Sequence, residues 1–207
     1  VWDAERIRDH GLLVVYANWS YLKNHALDNG AFRNLALEWV AYVAGKRESR
    51  RLMGDVVLTQ NDILRQVAYE DASVTTSWTI DLHYPDPKNT RFFSGDEFKA
   101  VCNQEEIELY PIPYRCFYSR NVSNLFMAGR NISVTHVALG TVRVMRTTAM
   151  MGEVVGMAAA VCRRHDVLPR TVYTSYLPEL RSLMQKGCGQ QDLPNNQQFN
   201  IGRRKHH

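Results

Sequence analysis

The chain has 207 residues, 45% of them apolar, with a net charge of +4. That is enough for one large domain or two small ones around a globular core, and too little excess charge for a dedicated nucleic-acid binder. No run of about 18 apolar residues is present, which excludes a hydrophobic helical membrane span, and the four cysteines (Cys102, Cys116, Cys162, Cys188) show neither C-x-x-C nor Cys/His ligand spacing. Neither a metal site nor a disulfide framework is expected, and the cysteines read as small apolar residues.

From the N-terminus, Asp3 to about His25 predicts a helix, capped by Asp3, with Ile7, Leu12, Val15, Trp19 and Leu22 at helical spacing. The opening "VWDAERIRDH" has no initiator methionine and no signal-peptide pattern, so it reads as an internal start. Asn29-Gly30 punctuates a turn. "LALEWVAYVAG" and "RLMGDVVLT" predict two strands joined at "GKRESRR" by a hairpin-type turn. Residues 60–66 predict a short helix capped by Thr59 or Asn61, and "DASVTTSWTIDLHY" a strand by its β-branched and aromatic content. "PDPKNTRFFSGDE" is a loop, and "IELYPIPYRCFYS", broken by Pro111 and Pro113, an edge strand or extended segment. A short buried strand is expected over Leu125 to Ala128, the longest helix over Val142 to His165, and a final helix over Tyr176 to Lys186. The following "GCGQQDLPNNQQFN" is expected to be flexible, and "GRRKHH" a solvated tail.

Several polar groups are candidates for chemistry. Lys46, Arg47, Arg50 and Arg51 surround one acid, as either a solvated hairpin tip or an anion contact. His83 ends a predicted strand just before a proline loop, where an imidazole can exchange a proton near neutral pH. His136 lies in "SVTHVALG", and Arg115 in "IPYRCFYS" could clamp an anionic substrate. Each has a structural reading beside the catalytic one. The three N-x-S sequons, at Asn18, Asn121 and Asn131, are read as accidental.

The most informative stretch runs from Asn124 to His165: a short apolar strand, the turn Gly129-Arg130-Asn131, a loop with His136, then Gly140-Thr141 before the long helix. A strand ending at Gly129 leaves a carboxyl edge of the kind where open α/β sheets bind ligands, and glycine permits close approach to the backbone. Thr141 is a reasonable N-cap, which would turn the positive end of the helix toward an anionic or electron-rich group. Gly152, Gly156 and Ala158 to Ala160 suggest a smooth face for close packing. Membrane pairing through that G-x-x-x-G is rejected because Arg143, Arg146 and Glu153 interrupt the segment.

"IPYRCFYSRNVSNLFMAGRNISVTHVALGTVRVMRTTAMMGEVVGMAAA" resembles the C-terminal segment of the FAD-dependent oxidoreductases with a glutathione-reductase-like, two-dinucleotide-domain fold. "ANWSYLKNH", "WVAYVAGKRESRRLMGDVVLTQNDI" and "WTIDLHYP" resemble that family's middle region, so the likeness covers most of residues 10–165. It implies a mixed α/β fold: a substrate-domain portion over 1–115, the closing strand and helix of a Rossmann-type FAD domain over 116–165, and a C-terminal helix and tail over 166–207. It further implies FAD as cofactor, a small-molecule substrate and hydride transfer between a substrate carbon and flavin N5. Gly129, Arg130 and Asn131 would lie near the ribityl or pyrophosphate. Leu139, Gly140, Thr141, Val142 and Arg143 would lie toward the isoalloxazine, and His83, Arg115 and His136 on the substrate side. The family's N-terminal G-x-G-x-x-G is missing; the one G-x-G, Gly187-Cys188-Gly189, follows a helix and lacks the third glycine. A C-terminal half of a longer flavoprotein, binding FAD weakly or not at all on its own, is therefore expected. The alternatives are a carbohydrate-binding module using Trp19, Trp39, Trp78 and the tyrosines as a platform, or a relative that has lost its redox role.

Overall fold

The structure, a computed structural model, describes residues 4–25, 30–43, 45, 47–85 and 100–187. Helices and strands are mixed, and contacts divide the chain into two units, one within residues 1–47 and 84–101, the other within 48–83 and 102–207. The expected boundary at residue 115 falls inside the second unit. The cap role of Asp3, the proline loop after Pro85 and the glutamine-rich tail lie outside the described residues.

In the first unit, α1 (Ala4–Asn24) forms where the apolar spacing predicted it, although it has no fully buried residue. Leu12, Trp19 and Leu22 are half-buried. The Lys23 ammonium donates to the carbonyls of Phe32, Arg33 and Leu35 at 3.0, 2.7 and 2.8 Å. Of these only Leu35 falls where a strand was expected, and residues 35–41 are irregular.

The second unit is built around a helix packed on a ribbon. β1 (Ala72–Thr76) pairs antiparallel with β4 (Tyr110–Pro113), in register Val74↔Ile112 and Thr76↔Tyr110, with an irregularity between Ala72 and Val74. Pro111 and Pro113 are tolerated because the ribbon has only two strands. β2 (Ile80–Pro85) pairs with β3 (Ala100–Glu105) in a second two-stranded sheet. The single strand expected over "DASVTTSWTIDLHY" is therefore two, interrupted at Ser77–Thr79. Ahead of β1, α2 (Gln60–Leu64) starts at a capping box: Thr59 Oγ1 accepts from the Asp62 N–H, and the Asp62 carboxylate accepts from the Thr59 N–H at 2.8 Å.

Among the described residues, the expected hairpin around "GKRESRR" does not form. The backbone of residues 52–58 instead bonds to Asn131, Arg115 and Ser133, with one isolated parallel bridge at Leu58↔Val134. The strand expected over Leu125–Ala128 is likewise reduced to one antiparallel bridge, Tyr118↔Phe126. Gly54 explains how 52–58 lies so close: a Cβ there would sit 2.4 Å from the Arg115 carbonyl oxygen and 3.0 Å from Ser133 Cβ.

The long helix expected over Val142 to His165 is α4 (Met145–His165), starting three residues later, and the segment before it, expected as a loop, holds a separate short helix, α3 (His136–Val142); Val144 between them has an extended φ of −77° and ψ of 150°. Thr141 is thus not an N-cap; it sits inside α3, and Val144 precedes α4. The α4 face that packs on β1 carries Met151, Val154, Ala158 and Val161, all at 0% exposure, at the helical spacing that makes one stripe. Gly152 and Gly156 point away, with nothing within 4 Å of a Cβ built on either, so they do not form the expected close-packing face. α5 (Pro169–Ser175) and α6 (Leu177–Lys186) cover α4, inserting Val172, Leu180 and Met184. α6 lies where a final helix was expected, whereas α5 was not expected.

Candidate functional site

The sequence-predicted residues fall into three polar clusters and one surface turn, all in the second unit. β2 and β3 supply the first cluster, and the end of α3 packs against it. Gly140 lets this helix touch β2 backbone to backbone: a Cβ there would lie 2.9 Å from Asp81 O and 3.1 Å from Asp81 N. At the end of the helix, Arg143 Nη2 donates to Asp81 O at 2.8 Å and lies 3.4 Å from Asp81 Oδ2. Asp81 Oδ1 in turn accepts from His83 Nε2 at 2.9 Å and from the Cys102 thiol at 3.4 Å. Partial burial opposes ionisation of Asp81, but the hydrogen bonds from His83 and Cys102 outweigh it and hold the carboxyl below its ordinary range. Because a carboxylate only accepts, His83 donates through Nε2–H, so its neutral tautomer has the lone pair at Nδ1.

The remaining α3 residues face inward. Leu139 and Val142 are core residues at 1% and 0% exposure. Thr141 donates to the Trp78 carbonyl at 2.5 Å and accepts from the Tyr110 hydroxyl at 3.1 Å, so its single proton and its oxygen are both engaged within the protein.

The second cluster holds His136, the first residue of α3. Its Nδ1 is 2.8 Å from both carboxylate oxygens of Glu48, which also pairs with Arg51 of the basic stretch. Nδ1 therefore donates, and the neutral tautomer has its lone pair at Nε2, on a side chain 54% exposed. The third cluster holds Arg115. Its guanidinium makes a bidentate pair with the fully buried Asp71, Nε to Oδ2 at 2.9 Å and Nη2 to Oδ1 at 2.8 Å, and stacks 4.6 Å from the Tyr173 ring. The Asp71 hydrogen bonds raise the Arg115 pKa further above its usual value. Asp71 also accepts from the Arg115 backbone N–H at 2.9 Å, so the pair pins the turn after β4.

The surface turn is Gly129-Arg130-Asn131. Gly129 has φ +101°, a conformation that favours glycine, and its missing Cβ would meet only Asn131 Oδ1 at 3.9 Å. Its N–H points at Met151 Sδ, 3.4 Å away, which ties the turn to α4. Arg130 and Asn131 are exposed.

Asp81, Cys102, Glu48 and Asp71 were not singled out in the sequence. Only Asp81 had a local signal: in "DLH", positions i and i+2 of a strand share one face. Of the four cysteines, Cys116 is buried as expected and Cys162 half-buried, whereas Cys102 is exposed and hydrogen-bonded. The first unit has a cavity of about 340 Å³ lined by Tyr16, Trp19 and residues 37–40, including Trp39. None of the candidate site residues lines it, and Trp78 belongs to the other unit.

Among the described residues, no helix is long and apolar enough to cross a membrane. Comparison with curated proteins and with solved structures finds no match. A family model, FAD dependent oxidoreductase, matches residues 3–184, which takes in both units and all three polar clusters. The chain belongs to the FAD dependent oxidoreductase family, and FAD is its cofactor.

Proposed function

We propose that this chain contributes the flavin-side wall and part of the substrate side of an oxidoreductase acting on a small organic molecule. FAD, when bound, supplies hydride exchange with a substrate carbon; the protein supplies orientation, electrostatics and proton transfer. The observation that carries this proposal is the family match over residues 3–184.

The residues suit FAD unevenly. Gly129–Asn131 fit: the turn is open where a Cβ would stand and flanked by exposed polar side chains. Leu139, Thr141 and Val142 are committed to the core, so their role is to hold α3 in place. An electron-rich ring edge is better served by the start of α4, where Val144 and Met145 have no side-chain cap and the first N–H groups lack intrahelical partners. The ADP half of FAD calls for a glycine-rich strand–turn–helix of the Rossmann type. We assign that half to residues of a longer, glutathione-reductase-like flavoprotein outside these 207.

On the substrate side, His136 is the proton carrier. Glu48 fixes its tautomer and leaves Nε2 accessible, the arrangement that general acid–base chemistry requires. Arg115 is a positioning residue whose pairing with Asp71 fixes the turn after β4.

Titrating the chain with FAD and following flavin fluorescence tests this division. Weak, saturable quenching that is reduced by Gly129→Val is expected. Tight, stoichiometric binding would overturn the assignment of the ADP half to other residues, and a complete lack of quenching would overturn the flavin-side wall. In the flavin-loaded parent, His136→Gln is expected to slow substrate-dependent flavin bleaching by about 10²–10⁴-fold, the usual worth of a positioned acid or base. Unchanged bleaching would remove His136 from the mechanism.

A further inference from the structure

Asp81, His83 and Cys102 bring an oxygen, a nitrogen and a sulfur donor to one point, all within 4.8 Å of one another. The strands set up this convergence: Asp81 and His83 alternate onto one face of β2, and Cys102 comes from the paired strand β3. We propose that these three residues form a binding site for a divalent transition-metal cation of the zinc class, independent of the flavin.

The spacing is close to what such an ion needs. Zinc bond lengths to oxygen, nitrogen and sulfur imply tetrahedron edges of roughly 3.3–3.7 Å. Here the oxygen–nitrogen and oxygen–sulfur separations are 2.9 and 3.4 Å. Inserting a cation asks these donors to part by a few tenths of an ångström. A mixed oxygen, imidazole and thiolate set selects a borderline cation such as Zn²⁺ or Co²⁺ over Mg²⁺ or Ca²⁺, which prefer oxygen alone. His83 and Cys102 are exposed, so a fourth position is open to water or a small ligand. Arg143 completes the arrangement by holding the carbonyl oxygen and Oδ2 of Asp81, which presents Oδ1 to the ion.

Binding balances simply. The His83 proton moves from Nε2 to Nδ1, the Cys102 thiol releases its proton to solvent, and the cation takes the place both hydrogens share against Asp81 Oδ1. The carboxylate and thiolate then offset the two positive charges.

The competing account is a purely hydrogen-bonded triad, which holds no metal. Cobalt(II) titration of the full chain, read by absorbance, separates the two. One equivalent is expected, with a thiolate-to-cobalt charge-transfer band and intense visible bands of low-coordinate cobalt, together with release of about one proton from the thiol. Cys102→Ser should abolish the charge-transfer band, His83→Gln should weaken binding at least tenfold, and Cys188→Ser should change nothing. The terminal His206 and His207 can bind cobalt, but without a thiolate band. Circular dichroism of each variant checks that it is folded. Absence of the band at saturating cobalt, or its persistence in folded Cys102→Ser, would overturn the site.

Discussion

Gly140 shows at residue scale how a motif glycine can serve packing rather than a ligand. The missing Cβ is what allows α3 to lie against Asp81, and a methyl group there would meet main-chain atoms, which cannot swing aside as a flexible side chain can. Gly140→Ala should therefore destabilise the second unit by about 1–3 kcal/mol, the usual range for overpacking, seen as a lower denaturant midpoint at unchanged slope. Wild-type stability in that variant would mean that the α3–β2 approach is looser than the structure has it. Gly129 is the contrasting case, with positive φ and open space, and is free to face a ligand. The two glycines look alike in sequence because what distinguishes them is a neighbour many positions away.

At the scale of elements, α1 and α4 have similar lengths and different anchorage. α1 forms through local propensity and one half-buried stripe, with no fully buried residue. α4 is locked by a buried stripe against β1, α5 and α6. Isolated helices are marginal in water, so most of their stability in proteins comes from packing. Native-state hydrogen exchange should accordingly protect the amides of α4 far more than those of α1. Equal protection would imply burial of α1 that the described residues do not provide. The break between α3 and α4 follows from the same reasoning: Gly140 and Arg143 hold the end of α3 to β2, while Met151 and Val154 hold α4 to β1.

For the whole molecule, acid stability is tied to carboxylates that bridge distant segments. Arg170 of α5 makes a bidentate pair with Asp55 at 2.7 and 2.6 Å, and the Tyr118 hydroxyl donates to Asp55 at 2.7 Å. The Arg170 hydrogen bonds lead in lowering the Asp55 pKa below 3.8. Between the unfolded value and this lower folded one, the unfolded chain binds the extra proton, so stability falls as pH falls. The contribution is complete above the unfolded value and disappears as pH drops through the folded one, and Asp81 acts in the same direction. Denaturant midpoints should therefore decline through the acid range, and Asp55→Asn should start lower and decline less steeply. A parallel decline in that variant would exclude Asp55 as a source of the pH dependence.

Much of the local structure was legible in the sequence. Apolar periodicity marked α1, the helices α4 and α6 were expected to within a few residues of their bounds, Thr59 was one of two cap candidates for α2, and the two prolines marked β4 as an extended edge. The order of motifs from Gly129 to Gly156 pointed to the FAD dependent oxidoreductases, because glycines, small residues and charges in fixed order record a backbone path even where no single piece is specific. Tertiary structure alone decided how those residues are used. Alternating apolar residues in 35–45 and 51–59 read as strands, but the Leu35 carbonyl bonds the Lys23 ammonium and the backbone of 52–58 bonds residues 115 and 131–133. Arg115 read as a substrate clamp and is held by Asp71, 44 positions away. His83 was a lone candidate and Cys102 read as a small apolar residue until strand pairing put both beside Asp81. Local propensity depends on neighbours in the chain and can be read from it; pairing depends on neighbours in space, which folding alone brings together.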